Sequence, residues 1–449
     1  MRQYPDVARF VFEAGRVALA QKDYATARQL FEKASDMGSK IAIADVGFIY
    51  ANGWGVAKDY TKARQLFEKA AAASEPVGMN NLGWLFQNGW GVSKDYAQAR
   101  QWYEKAAAAG YSLAMNNLGV LYGNGLGVPK DYTQARQWYE KAAAAGTPIA
   151  MQNLGWFYQN GLGVAQDYAQ ARQWYEKAVA VGSPAAMNNL GWLYQNGWGV
   201  SKDYTQARQW YEKSAAAGSA PGMDSLGWFY QNGLGVTQDY AAARQWYEKA
   251  ATAGSPDAMK NLGLLYENGW GGTKDYTAAR QWYEKAAAAG LPMAMTNLGS
   301  FYQNGLGVAQ DYAQARQWYE KAAAAGNALA LNNLGWFYQN GLGVTKDYVQ
   351  ARQWYGKAAT AGNPDGMNSL GYFYHNGWGV TQDYAQARQW YEKAAAAGNA
   401  LAMNNLGVLY GSGLGVPKDY AQARQWYEKA AAAGNEIAKQ NLQKLGRKK

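Results

Sequence analysis

Three groups in this sequence could be read as chemical machinery: a carboxylate pair, a single imidazole and a glycine-rich loop. Asp95 and Glu104 have the residue types of a general acid and base, but the pair recurs in nearly every segment of the chain. Active sites are seldom built many times over, and a helix cap plus a surface ion pair accounts for both residues. His375 is the one histidine. An imidazole without a fixed carboxylate or nucleophile partner does not meet the geometry that acid–base or covalent catalysis requires. The loops Gly-Leu-Gly-Val and Gly-Trp-Gly-Val look superficially like phosphate-binding glycines, yet none supplies Gly-Lys-Ser/Thr or follows a strand. With no cysteine at all, thiolate metal sites, cysteine nucleophiles and a disulfide framework are excluded. The expectation is a protein that is not an enzyme and has no cofactor and no metal.

The elements that hold these residues follow from composition and period. Apolar residues make up 49% of 449, too many for a disordered chain, and no charge-free apolar run approaches the roughly 18 residues of a membrane span. A soluble, folded protein with no membrane insertion is expected. The opening Met1-Arg2-Gln3-Tyr4-Pro5-Asp6 lacks the build of a secretory signal. That places the chain in the cytoplasm, or in the periplasm or outside the cell if a signal was trimmed.

Asp-Tyr recurs from Asp23, Asp59 and Asp95 to Asp383 and Asp419 at an unbroken spacing of 36 residues. A strict period of that length is the signature of a stack in which each unit touches mainly its neighbours, so the chain reads as one solenoid. Residues 75 to 110 show the unit. Met79, Leu82, Leu85 and Phe86 recur at helical spacing, and Gly83 lets another helix approach closely. Asn88-Gly89 ends this helix, with Gly89 as its left-handed terminal residue. Trp90 to Lys94 form a loop. Asp95 caps a second helix, whose inner face carries Tyr96, Ala99, Tyr103 and Ala106 while Arg100, Gln101, Glu104 and Lys105 point largely outward, until Gly110 stops it. Each unit is therefore a helical hairpin.

Three segments follow: a capping hairpin over 1–38, whose first helix runs from Asp6 to about Gln21; eleven full units over 39–434; and a closing helix over 435–449 that ends in Arg447-Lys448-Lys449, where a last turn favours cations.

The run Ala186 to Lys213, with Leu-Gly, Gly-x-Gly-Val and Trp-Tyr-x-Lys, closely resembles the Sel-1-like repeat family. The opening hairpin is similar to a tetratricopeptide repeat, with Gly15, Ala27, Phe31 and Ala34 at that spacing. The resemblance implies an all-α fold, a right-handed α-α superhelical solenoid, and a role as scaffold or adaptor for protein complexes. In bacteria such proteins are often tied to signalling, envelope polysaccharide or host contact. Some cysteine-rich relatives have been labelled β-lactamases; this chain lacks their paired cysteines, so a hydrolase remains only an alternative.

Columns that vary between units separate replaceable surface from core. Asn80, Trp84 and Gln87 form a second face of the first helix, which in the tetratricopeptide-like arrangement lines the concave surface. The Trp84 column admits Val120, Trp156, Trp192, Trp228, Leu264, Ser300, Trp336, Tyr372 and Val408. Tolerance of both Ser and Trp argues against tight core. Beside it stand Gln159, Asn188, Gln195, Gln231, Gln339 and His375. The reading is a groove of aromatic anchors flanked by amides, able to bury apolar side chains and bond the backbone of an extended protein or peptide partner. The competing reading is that these side chains only pack along the solenoid. The Trp102 column is nearly uniform and is assigned to packing between units. The alternating Trp/Leu loop column, Trp90 and Leu126 among it, is expected to seal each loop against the next hairpin.

The net charge of +10 comes from small excesses repeated along the chain. Nucleic acid is unlikely as a partner, because the groove holds Asp224, Asp257, Glu267 and Asp365 beside one Lys260, whereas a channel that grips phosphates should be basic. A monomer is expected.

Overall fold

A computed structural model describes residues 5–446; the closing cations Arg447, Lys448 and Lys449 lie outside them. The described residues form twenty-five helices, α1 to α25 in chain order, and no strand. The first is α1 (Pro5–Ala20) and the last is α25 (Glu436–Gly446). Between them, first helices such as α5 (Pro76–Asn88) alternate with second helices such as α6 (Tyr96–Ala108), each pair packed as a hairpin. The hairpins gather into two compact units, whose boundary falls inside α13 (Ala220–Asn232): Met1–Ser225 with Leu234–Val236 form one, and Leu226–Gly233 with Thr237–Lys449 the other.

Local chemistry sets each helix end. Gly89 takes φ 73° and its N–H reaches back to Leu85 O, while Asn88 Nδ2 donates to Trp84 O at 2.8 Å. These contacts satisfy carbonyls that the last turn leaves open. Asp95 N donates to Phe86 O at 2.9 Å, closing the loop, and the Asp95 carboxylate accepts from Ala97 N and Gln98 N. Asp203 does the same for Thr205 N at 2.8 Å and Gln206 N at 3.0 Å. Asp203→Ala is expected to lower stability by about 1 kcal/mol, read as a lower urea midpoint; an unshifted midpoint would deny the cap its role.

Packing inside a hairpin rests on the Leu-Gly step. A Cβ on Gly83 would stand 2.6 Å from Tyr103 Cε1, so only glycine lets that buried ring lie on the first helix. Leu82, Leu85, Ala99, Tyr103 and Ala106 are fully buried, whereas Met79 and Phe86 are half-buried and face the neighbouring hairpin. Trp102 packs on the core of the preceding hairpin and lies under the Lys105 ammonium at 4.1 Å.

The loop tryptophans differ from expectation in direction. Trp90 stacks on Tyr60 of the preceding hairpin, ring centroids 5.2 Å apart, and Trp198 stacks likewise on Tyr168 at 5.0 Å. The loop seals backward because Gly91, at φ 67°, brings its backbone against Tyr60, where a Cβ would meet the Tyr60 carbonyl carbon at 2.9 Å.

Candidate functional site

The fourteen positions of the expected binding face, from Asn80 to His375, lie on first helices, and the structure gives their three columns different surroundings. Asn80 is 7% exposed. Its Oδ1 accepts from Asn117 Nδ2 of the following hairpin at 3.0 Å, and the same bond joins Asn153 to Asn116 and Asn405 to Asn368. Asn188 Oδ1 accepts from Ser225 Oγ at 3.2 Å. This column is an amide ladder between repeats, and Asn80 spends its acceptor on the stack.

The glutamines are half engaged. Gln87 Oε1 accepts from Tyr103 OH at 2.9 Å, Gln159 from Tyr175 at 3.0 Å, Gln195 from Tyr211 at 2.7 Å, Gln231 from Tyr247 at 2.9 Å and Gln339 from Tyr355 at 2.7 Å. Burial raises the phenols Tyr103, Tyr175, Tyr211 and Tyr355 well above their ordinary range, so they remain donors. The bond orients each amide and leaves its Nε2 donors unused by the pair. Sequence reasoning missed it because the partners stand sixteen residues apart on different helices.

The aromatic column meets solvent. Trp156 is 48% exposed, Tyr372 41%, Trp336 40% and Trp228 38%, while Trp84 and Trp192 are half-buried. Among the tryptophans the difference follows the loop residue, whereas Tyr372 stays open although Trp378 lies edge-on to it at 5.2 Å. Trp84 lies edge-on to Trp90 with centroids 4.5 Å apart, and Trp192 edge-on to Trp198 at 4.1 Å. Where the loop sequence carries Leu162, Leu234 or Leu342 in place of tryptophan, the indoles of Trp156, Trp228 and Trp336 sit edge-on to Phe157, Phe229 and Phe337 at 5.7 to 5.8 Å and keep a face open. Phe48 and Trp84, one repeat apart, approach to 6.4 Å, so successive members of the column are neighbours. Alternate first helices also come close where α3 (Lys40–Asn52) meets α5, and where α19 (Ala328–Asn340) meets α21 (Pro364–Asn376).

His375 lies edge-on to Tyr384 at 5.2 Å and near Tyr372 at 6.5 Å, and burial pushes its imidazole below the ordinary histidine range. No carboxylate pairs with it among the described residues. Glu104 pairs with Arg100 at 3.7 Å. The acids of the face are engaged as well: Asp257 with Lys260 at 3.4 Å, Glu267 as acceptor from Tyr283 at 2.5 Å, and Asp365 as acceptor from Asn399 at 2.8 Å.

The model of the Sel1 repeat matches eleven consecutive segments without a gap, from residues 40–75 to residues 400–435. The chain belongs to the Sel1 repeat family. A tetratricopeptide repeat model matches residues 1–40. No curated protein matches the chain. Among solved structures, it is similar to a protective antigen of uropathogenic Escherichia coli that displays an SLR fold, with 36% identity over 94% of this chain and 91% of that one and a TM-score of 0.55. It is also similar to a Sel1 repeat protein from Oxalobacter formigenes, with 35% identity, 69% and 90% coverage and a TM-score of 0.53. Sel1 repeats and their tetratricopeptide-like relatives are in general protein-interaction scaffolds. No helix among the described residues is long and apolar enough to cross a membrane.

Proposed function

We propose that this Sel1 repeat protein is a non-enzymatic scaffold that binds a protein or peptide partner through the aromatic column of its first helices. The observation that supports this most is the exposure of Trp156, Trp228, Trp336 and Tyr372 at one repeated position. A large aromatic held with one face in water is costly to display and is the side-chain type that dominates interface hot spots. The glutamines beside it, fixed by buried tyrosines, present amide donors at a defined angle to a ligand backbone. The non-enzymatic reading is supported by the occupation of the repeated carboxylates in caps and ion pairs.

Replacing Trp156, Trp228 and Trp336 together by Ala is expected to leave the far-ultraviolet circular dichroism unchanged and to weaken partner binding by at least about a hundredfold, because each buried hot-spot aromatic contributes more than about 2 kcal/mol. Binding retained by the folded triple variant would return these residues to packing.

A further inference from the structure

Second helices repeat an arginine and a glutamate one turn apart, and the two meet as an ion pair from Arg28–Glu32 to Arg388–Glu392. In α14 (Tyr240–Thr252) Arg244 keeps Glu248 in sequence but donates to Gly271 O instead, and only α20 (Tyr348–Thr360) lacks the glutamate, reading Arg352-Gln353-Trp354-Tyr355-Gly356-Lys357. Gly356 stands in the helix interior, where glycine is the weakest former after proline. Packing does not require it, for a Cβ there would meet nothing within 4 Å. Where other repeats carry the glutamate, an open cleft of about 580 Å³ is lined by Arg352, Gly356, Lys357, Leu370, Tyr374 and Trp390.

Among the described residues, neither Arg352 nor Lys357 forms an ion pair with a carboxylate. Arg352 Nε donates to Gly379 O at 3.1 Å, and among the described residues no carboxylate lies within ion-pair distance of it. The Lys357 ammonium rests over the Trp354 ring at 4.1 Å. Leu370 and Tyr374, four residues apart on α21, and Trp390 of α22 (Tyr384–Ala396) supply an apolar wall. Tyr372 and His375 leave α21 on its other side, so this cleft is separate from the aromatic column.

We infer that the cleft takes up an external carboxylate in the place of the missing glutamate, borne on a small apolar or aromatic body that rests against Leu370 and Trp390. The guanidinium fork matches a carboxylate's two oxygens, and the neighbouring ammonium adds a second cation. This site stands on its own geometry and does not depend on the scaffold reading.

The test titrates the full chain with phenylacetate, with an acetylated and amidated Phe-Glu dipeptide, and with inorganic phosphate, following the Trp390 indole and Arg352 Nε–H resonances. Phenylacetate or the dipeptide is expected to move both saturably, and which one does so tells a free carboxylate from an acidic side chain. Arg352→Gln and Gly356→Glu should each weaken binding at least about tenfold, the worth of a charge-assisted hydrogen bond. Gly356→Glu rebuilds the ordinary ion pair and should melt no lower than the parent, so misfolding cannot account for its loss of binding. No saturable shift at tens of millimolar, unchanged affinity in Gly356→Glu, or phosphate binding as tightly as both carboxylates would overturn the assignment.

Discussion

Gly191→Val is expected to lower the stability of the protein by about 3 kcal/mol, the upper end of the range for overpacked cores. A Cβ on Gly191 would stand 2.6 Å from Tyr211 Cε1 and 2.7 Å from Cδ1. The ring cannot retreat, because Tyr211 is 1% exposed and its hydroxyl is tied to Gln195 at 2.7 Å. Gly191→Ala should cost less, since alanine recovers about 1 kcal/mol of helix propensity. The mechanism has its own signature: adding Tyr211→Leu, which removes the ring that the new methyls strike, should make the pair of substitutions cost less than the sum of each alone. Urea unfolding followed by circular dichroism reads both effects, and a Val variant with the parent's midpoint would show that the hairpin does not depend on this contact.

Asp45→Asn is expected to stabilise the protein near neutral pH and to do nothing in acid. Asp45 stands in the column that carries Asn81, Asn117 and Asn153 in later repeats, and the amides of Asn117 and Asn153 bond back to the preceding hairpin. Thirty-seven residues before it, where the ladder partner would stand, is Ala8, which has no side-chain acceptor or donor to offer. Burial pushes the Asp45 carboxyl up to about 6, with Arg16 opposing and Glu75 reinforcing the shift, and Tyr111 also faces the pair. The native state therefore keeps a proton that the unfolded chain has already released between about pH 4 and pH 6. Since the unfolded state binds fewer protons in that window, stability falls as pH rises through it and stays low above. The loss is about 2 kcal/mol after allowing for partial exposure of the group. The difference in urea midpoint between parent and Asp45→Asn, in which all other carboxylates cancel, should be near zero below about pH 4 and positive at about pH 7.5. An equal difference at both would mean that the carboxyl is not strained by burial.

What the sequence made legible is what local chemistry repeats. The 36-residue period, the hairpin, the Asp95 cap, the left-handed Gly89 and the close approach at Gly83 each rest on residues near in sequence, and each is where it was expected. What escaped reading depends on register between helices. Asn80 is polar and looked like surface, yet a partner thirty-seven residues on draws it into a buried ladder. Gln87 looked free until Tyr103 was seen to reach it. Trp90 seals backward rather than forward, because only the stacked arrangement shows that Gly91 rests on Tyr60. The exposure of the Trp84 column was foreshadowed by its tolerance of Ser300, but the split between half-buried Trp192 and open Trp156 depends on whether the loop carries Trp198 or Leu162. Gly356 was visible in the sequence as a break in the Arg–Glu rule, although its meaning depends on the cleft around it.

The most direct test of the scaffold reading is to select peptides against the folded protein from a random display library and to record its tryptophan indole resonances as each peptide is added. The account predicts saturable shifts at Trp156, Trp228 and Trp336, with Trp102, Trp138 and Trp174 unmoved. Peptides that bind tightly while those three indoles stay still, or that bind the triple Ala variant with undiminished affinity, would contradict it.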